Sequence, residues 1–240
     1  MIFYFSSTGN CQYVAERIAA ATGDRAVSML DCLKRKALSF PDCEQLGIVV
    51  PTYAWGLPDI VDLFLKRVQI RARYAFFVVT YGTTPGNTLY FAETYLRRRF
   101  DIAFSLQMPD NFTPWFDLSA PEKVAAQNAA ADVRLDAILR QITARETGHF
   151  MQRVPPQFTS LFHKMAYDWL RQTSNLRVEE TCIGCGLCAK RCPVHAIEMR
   201  GGRPVWVKDK CTMCLGCLHR CPKFAIVYGR SPEHGQYRHP

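Results

Sequence analysis

A chain of 240 residues with a formal charge of +9, 48% hydrophobic residues and eleven cysteines has the size of one ordinary domain joined to a small one. Its longest apolar runs, such as residues 46–57, fall short of the roughly 20 residues that a membrane-spanning helix needs. The charge would ordinarily point to nucleic acid or a membrane surface, a reading that changes once the cysteines are placed.

Residues 1–5 read as a short strand; without a basic start, and running straight into polar residues 6–10, they are not expected to be a secretory leader. Ser6, Ser7, Thr8, Gly9 and Asn10 come next, and then a helical pattern in which Val14, Ile18 and Ala19 share a face. Strand, hydroxyl-rich turn and helix N-terminus together form an anion site, because backbone N–H groups and the helix dipole attract phosphate and the hydroxyls add donors. No Lys or Arg lies between Ser6 and Tyr13, so a dianion there would be held by dipoles. The same residues also make a good N-cap turn, and the stretch alone does not choose between the two.

The following loops decide. Residues 46–50 form a buried-type strand that ends in Pro51, Thr52, Tyr53, Ala54, Trp55 and Gly56, and residues 74–80 form another that ends in Tyr81, Gly82, Thr83 and Thr84. Helical stretches over 59–68 and 87–99 follow them. Such alternation implies a parallel sheet with right-handed crossovers, whose ligands sit beyond the carboxyl ends of the strands. A phosphate-type turn, an aromatic pair and a Gly/Thr-rich loop at three such ends suit a flat aromatic cofactor carrying a phosphate.

On these residues the N-terminal part, over 1–150, resembles a flavodoxin. The resemblance implies an α/β domain with a doubly wound five-stranded parallel sheet of order 2-1-3-4-5, and FMN as its cofactor. Ser6, Ser7, Thr8, Gly9, Asn10 and Cys11 match the S/T-x-T-G-N-T phosphate loop of that family, with Cys11 in place of the last threonine and one hydroxyl fewer for the phosphate. Thr52, Tyr53, Trp55, Gly56, Tyr81, Gly82 and Thr83 match the loops that flank the isoalloxazine ring. In flavodoxins a glycine at this kind of position lets a carbonyl turn toward the reduced ring, which would make the peptide from Gly56 to Leu57 a tuning device; the plainer reading is a turn residue.

Residues 110–121 make a loop with prolines and aromatics, expected near the ring loops. A helix runs from Pro121 to about Arg145, and Gly148 stops it. Pro155 and Pro156 open another, in which Phe158, Leu161, Phe162, Met165, Trp169 and Leu170 repeat at helical spacing. That stripe reads as the core face of a strap holding the small domain to the large one, over residues 151–176. A membrane-surface helix is the lesser alternative, because few basic residues flank the stripe.

The C-terminal part, 177–240, carries the run C-x-x-C-x-x-C-x-x-x-C-P twice: Cys182, Cys185, Cys188 and Cys192, then Cys211, Cys214, Cys217 and Cys221, each fourth cysteine followed by proline. This is the spacing of bacterial iron–sulfur ligation, in which the fourth cysteine serves the other cluster. Cys182, Cys185, Cys188 and Cys221 are therefore assigned to one 4Fe-4S cluster and Cys211, Cys214, Cys217 and Cys192 to a second. A tetrahedral zinc site does not account for the third cysteine and the proline. The apparent dinucleotide fingerprint at Gly184, Gly186 and Ala189 lacks the strand it requires. His195 and His219 lie within the runs and read as surface residues, and residues 231–240 as a loose tail. The three remaining thiols, Cys11, Cys32 and Cys43, argue for a reducing cytoplasm.

Over about 177–230 the sequence resembles the two-cluster bacterial ferredoxins, and the whole chain is similar to the EFR1 family of fused flavodoxin–ferredoxin proteins. The segments Pro51 to Pro58 and Met108, Pro109, Asp110, Asn111 and Phe112 look like signatures of that family. Two ligated cubanes remove about four positive charges, so the eleven Lys and Arg of residues 177–240 first serve to neutralise the clusters. The function implied is electron transfer between FMN and two 4Fe-4S clusters within one chain, as a carrier or oxidoreductase component with a redox partner protein and no nucleic acid. The alternative is a flavin-dependent reductase of a small substrate fed by the clusters, which needs an open ring face.

Overall fold

The structure, a computed structural model, describes residues 1–152 and 156–240, with side chains throughout except at 156–161. The N-terminal elements are β1 (Ile2–Tyr4), α1 (Asn10–Thr22), β2 (Ala26–Ser28), α2 (Met29–Arg35), β3 (Cys43–Pro51), α3 (Asp59–Leu65), β4 (Ala72–Tyr81), α4 (Thr88–Leu96), β5 (Ile102–Gln107), α5 (Pro121–Thr143) and β6 (Gly148–Phe150). The strands form one parallel sheet in the order β2-β1-β3-β4-β5-β6. Because successive side chains of a strand alternate between faces, Ile48, Phe77 and Val79 join Phe3 on the side covered by Phe64 and Ala92. Val49, Phe76 and Val78 join Ile2 and Phe104 beneath Val14, Ile18, Leu135 and Ile138. Helices on both faces explain why β3 and β4 read as unbroken apolar runs.

The sheet has one strand more than the five expected. β6 pairs with β5 through only three residue pairs, too short for a period-two pattern to show in the sequence. Parallel pairing brings the carboxyl ends of β1, β3, β4 and β5 to one edge, and everything of functional interest collects there.

Beyond the sheet come α6 (Pro156–Leu170), β7 (Leu176–Val178), α7 (Leu187–Arg191), β8 (Ile197–Arg200), β9 (Arg203–Trp206), α8 (Gly216–His219), β10 (Ile226–Tyr228) and α9 (Ser231–His234). β7 pairs antiparallel with β10, and β8 with β9. Leu176, Met213, Leu215, Leu218 and Ile226 form a small core against which Tyr53, Ala54 and Phe112 of the first body also pack. The cysteine lobe thus sits directly on the loops at the carboxyl edge of the sheet.

Two expectations are corrected. Three of the six residues of the α6 stripe face outward, Phe162 51%, Met165 66% and Trp169 58% exposed, and Leu170 is buried as expected, while Phe158 and Leu161 lie outside the residues whose side chains are described. The inward face is the half-buried His163 with the buried Tyr167 and Leu170, also at helical spacing, and its polar members are bound by hydrogen bonds. The Tyr167 hydroxyl donates to the Thr212 carbonyl at 2.9 Å and accepts from the Asp59 N–H at 3.3 Å, and Arg171 pairs with Asp59 at 3.1 Å. A helix touching two bodies buries whichever face reaches both, and here hydrogen-bonding atoms meet that need where hydrocarbon does not. Nor is the tail loose: Ser231, His234 and Tyr237 are buried, because Tyr237 enters the seam and donates to Asn10 Oδ1 at 2.7 Å.

Candidate functional site

A cavity of about 270 Å³ opens at the carboxyl edge of the sheet. Its floor comes from Thr52, Tyr53 and Trp55 after β3, Tyr81, Gly82 and Thr83 after β4, and Asp110, Asn111 and Phe112 after β5. Trp115 and Phe116 extend it, Trp169 and Leu170 of α6 close one side, and Met213, Cys214 and Leu215 close another. A cavity with aromatic walls and a few convergent polar groups is the usual form of a site for a flat cofactor.

The first ring loop is tightly built. Tyr53 and Gly56 exchange both backbone hydrogen bonds at 2.9 and 3.0 Å, and Trp55 O accepts from Asn87 N–H at 2.9 Å. The His163 Nδ1–H donates to Ala54 O at 2.8 Å. Left-handed backbone falls on Ala54 (φ 46°) and Trp55 (φ 66°), not on Gly56. Gly56 instead has the His163 ring against its α-carbon, where any side chain would collide. Of the two readings of Gly56 these contacts favour the plainer one: its carbonyl accepts from Tyr53 N–H, and the glycine admits the close approach of His163.

The phosphate-type loop is arranged differently from its sequence reading. Ser6 Oγ accepts from Gly9 N–H at 3.1 Å and Thr8 Oγ1 accepts from Asn111 Nδ2 at 2.6 Å, so both hydroxyl protons remain available to an oxyanion. The Ser7 proton is spent on the Cys214 carbonyl at 2.6 Å. Asn10 is committed to Pro109 and Tyr237, and Cys11 is buried with its sulfur 3.1 Å from Thr80 Oγ1. Burial pushes the Cys11 thiol up to about 12, as befits an inert core cysteine. The first N–H groups of α1 have no carbonyl behind them. The Ser6 and Thr8 hydroxyls and the helix amides are the groups a flavin phosphate would meet, and the aromatic cavity, which of this loop only Asn10 lines, would take its ring. His239 of the tail packs on Gly9 and its N–H donates to Thr8 O at 2.8 Å, while the third hydroxyl, that of Ser7, joins the cysteine lobe. Arg220, whose Nε donates to Ser7 O at 2.8 Å, brings to the loop a cation that its own sequence lacks.

The eight motif cysteines fall into two sets. Cys182, Cys185, Cys188 and Cys221 line one small hollow, and Cys192, Cys211, Cys214 and Cys217 line another. Among the described residues no three ligating side chains close on a single-ion site. Each terminal cysteine accepts an N–H from four residues on: Ala196 to Cys192 and Ala225 to Cys221, both at 3.2 Å. Burial pushes the thiol of Cys211 up to about 11 and that of Cys214 up to about 12, so deprotonation in this lobe calls for a positive metal core beside the sulfur.

Sequence reasoning missed several groups that hold the site together. His219 was read as a surface residue, but it is 2% exposed. Its Nδ1 accepts from Tyr237 N–H at 3.1 Å, so Nε2 carries the proton and donates to Asn111 O at 2.8 Å. Burial pushes its pKa down to about 4, which keeps this bridge neutral. His195 is exposed, as expected. The segment at 110–121, expected near the ring loops, signalled part of this packing: Phe112 packs against the core of the cysteine lobe.

A doubly wound α/β body whose loop edge is capped by a twin cysteine lobe defines the class: an electron-transfer protein with flavin-type and iron–sulfur domains. Comparison with known families agrees, since residues 1–109 match the flavodoxin domain and residues 174–222 the 4Fe-4S dicluster domain. The chain is a fused flavodoxin–ferredoxin protein. Among curated proteins it is similar to Ferredoxin-1 of Rhodospirillum rubrum, 68% identical over 22 residues, which are 9% of this chain and 40% of that relative. The match thus covers less than half of the relative's length. No solved structure matches the chain. Among the described residues no helix is long and apolar enough to cross a membrane.

Proposed function

We propose that the chain passes electrons between FMN and two 4Fe-4S clusters held in the same molecule. The observation that carries this reading is the position of Cys214, which belongs to the second cysteine set and is also a wall of the aromatic cavity. FMN, when bound, supplies a carrier that takes electrons in pairs and releases them singly, whereas a cubane moves one at a time. Ser6, Thr8 and the amides of Asn10 and Cys11 would hold its phosphate, with Gly9 and Ser7 shaping the loop. Thr52, Tyr53, Trp55, Gly56, Tyr81, Gly82 and Thr83 would frame its ring.

The remaining residues fix distance. Thr212 Oγ1 donates to Asp59 Oδ1 at 2.6 Å, Ser7 holds Cys214 and Tyr167 spans both bodies. These contacts would keep the cluster of Cys192, Cys211, Cys214 and Cys217, the inner of the two, against the cavity rather than wandering on a linker. The units of this design are residues 1–150 for FMN, 151–176 as strap and 177–240 for the clusters, with the last ten residues built into the seam, in a protein of the cytoplasm with a redox partner. Trp115 and Trp169 crowd the cavity from two further segments, which favours electron passage over the alternative of reducing a small substrate at an open ring.

The test is anaerobic purification followed by a visible spectrum with iron, sulfide and flavin counts. Two cubanes' worth of iron and sulfide with one FMN per chain is the expected result. Clusters without flavin would reduce the first domain to a docking module.

A further inference from the structure

The segment Met108 to Phe112 stood out in the sequence, and its acid has no part in the function so far described. Asp110 turns into the cavity beside Gly82, where any added side chain would collide with its carboxylate. Its Oδ2 accepts from Thr83 Oγ1 at 3.1 Å and its Oδ1 from Phe112 N–H at 3.1 Å. Among the described residues it has no ion-pair partner. Among the described residues it is the one carboxyl lining the cavity, and no lysine, arginine or histidine lines it.

The other titratable walls are Tyr53, Tyr81, Tyr167 and the ligand Cys214, and burial makes all three tyrosines weaker acids still. Behind the walls stand Asp59, paired with Arg171, His163 under Gly56 and the buried His219 behind Asn111. Among the described residues no cation lines the ring cavity; Arg220 stands at the phosphate loop, where it donates to Ser7 O, so negative charge at the ring end is eased by a proton taken up there. Asp110 is placed to pass that proton on and to be reprotonated from solvent.

We propose that Asp110 is the proton donor and acceptor of the flavin site, a catalytic residue that delivers a proton to the ring as it is reduced and takes it back on oxidation. This rests on the functional reading above. Two electrons arrive, one from each reduced cluster, and both clusters return to their oxidised state. The O–H bond of Asp110 would break and one N–H bond would form on the ring, so that two electrons and one proton leave the ring with a single negative charge; the carboxylate left behind is held by Thr83 and Phe112 until solvent at the cavity mouth returns a proton. Desolvation supports the assignment by raising the carboxyl above its ordinary range, against the opposing pull of the two donors.

Two measurements on the full chain test it. Infrared titration of the flavin-free protein should show a protonated carboxyl band that persists above the ordinary Asp range near pH ~4 and is missing from Asp110→Asn. In rapid mixing with dithionite, reduction of bound FMN through the clusters should slow as pH rises through that titration, and Asp110→Asn should be about a hundredfold slower with no pH break. Absence of the infrared band overturns the proposal without reference to any variant, as does an unchanged rate and profile in Asp110→Asn. Wild-type protein with intact clusters that takes up no FMN overturns the functional reading and this inference together; FMN bound with Asp110→Asn unaffected overturns this inference alone.

Discussion

The two cysteine runs share one backbone and differ in what covers them. Gly184 and Gly186 of the first run are left-handed at φ 67° and 72°, and the matching residues of the second, Met213 and Leu215, are left-handed at 52° and 53°. His195 and Phe224 repeat the match at 49° and 48°. Yet Cys185 and Ile183 of the first run are exposed, whereas Met213 and Leu215 are 5% and 4% exposed. A left-handed side chain costs about 1–2 kcal/mol, and burying a Leu or Met returns about 1.5–3 kcal/mol. Glycine is the better choice where the loop meets solvent, and a large side chain where it meets the flavodoxin body. One motif copied twice has been fitted to an outer face and an inner seam.

The largest expected effect breaks the comparison at its centre. Cys192→Ala removes a ligand that lies in the first run but lines the hollow of the second, so the inner cluster should be lost and the outer one spared. Low-temperature EPR of the reduced variant reads this directly, and loss confined to the outer cluster would reject the crossed assignment.

Exchanging the left-handed residues sharpens it. Leu215→Gly gives up packing of about 2–5 kcal/mol and relieves about 1–2 kcal/mol of strain, a net loss of up to roughly 4 kcal/mol. Gly186→Leu adds the strain, and only Met199 lies near its new Cβ, at 3.8 Å. Both should lower the midpoint of anaerobic urea bleaching, Leu215→Gly through the inner cluster and Gly186→Leu through the outer. A variant Leu215→Gly more stable than wild type would show that the seam does not repay the strain.

A smaller effect is expected at the strap. Tyr167→Phe leaves the buried Thr212 carbonyl without its donor, a cost of about 1–3 kcal/mol borne by the inner side alone. The inner-cluster EPR signal should broaden or shift while the outer one stays as it was. Equal disturbance of both would mean that the lobe moves as one piece and that the strap does not act on the seam locally.

What the sequence determined by itself was whatever depends on local spacing. Cysteine ligation is a matter of three-residue steps, and parallel strands buried on both faces must be apolar throughout, so the cysteine sets and the α/β body were legible without coordinates. The strand of Gly148–Phe150 was not, because three residues carry no period. Only the tertiary structure decided how the two bodies meet. Phe162, Met165 and Trp169 of the stripe stay exposed, yet Tyr167 is buried beside Leu170 and His163 is half-buried, because the seam offers carbonyls and N–H groups that need partners as well as hydrocarbon. The same reason takes Ser7 from a phosphate to Cys214, draws His219 and Tyr237 inside and aims Asp110 into the cavity: a buried polar atom must find its partner wherever the fold has put one, and no spacing along the chain records that distance.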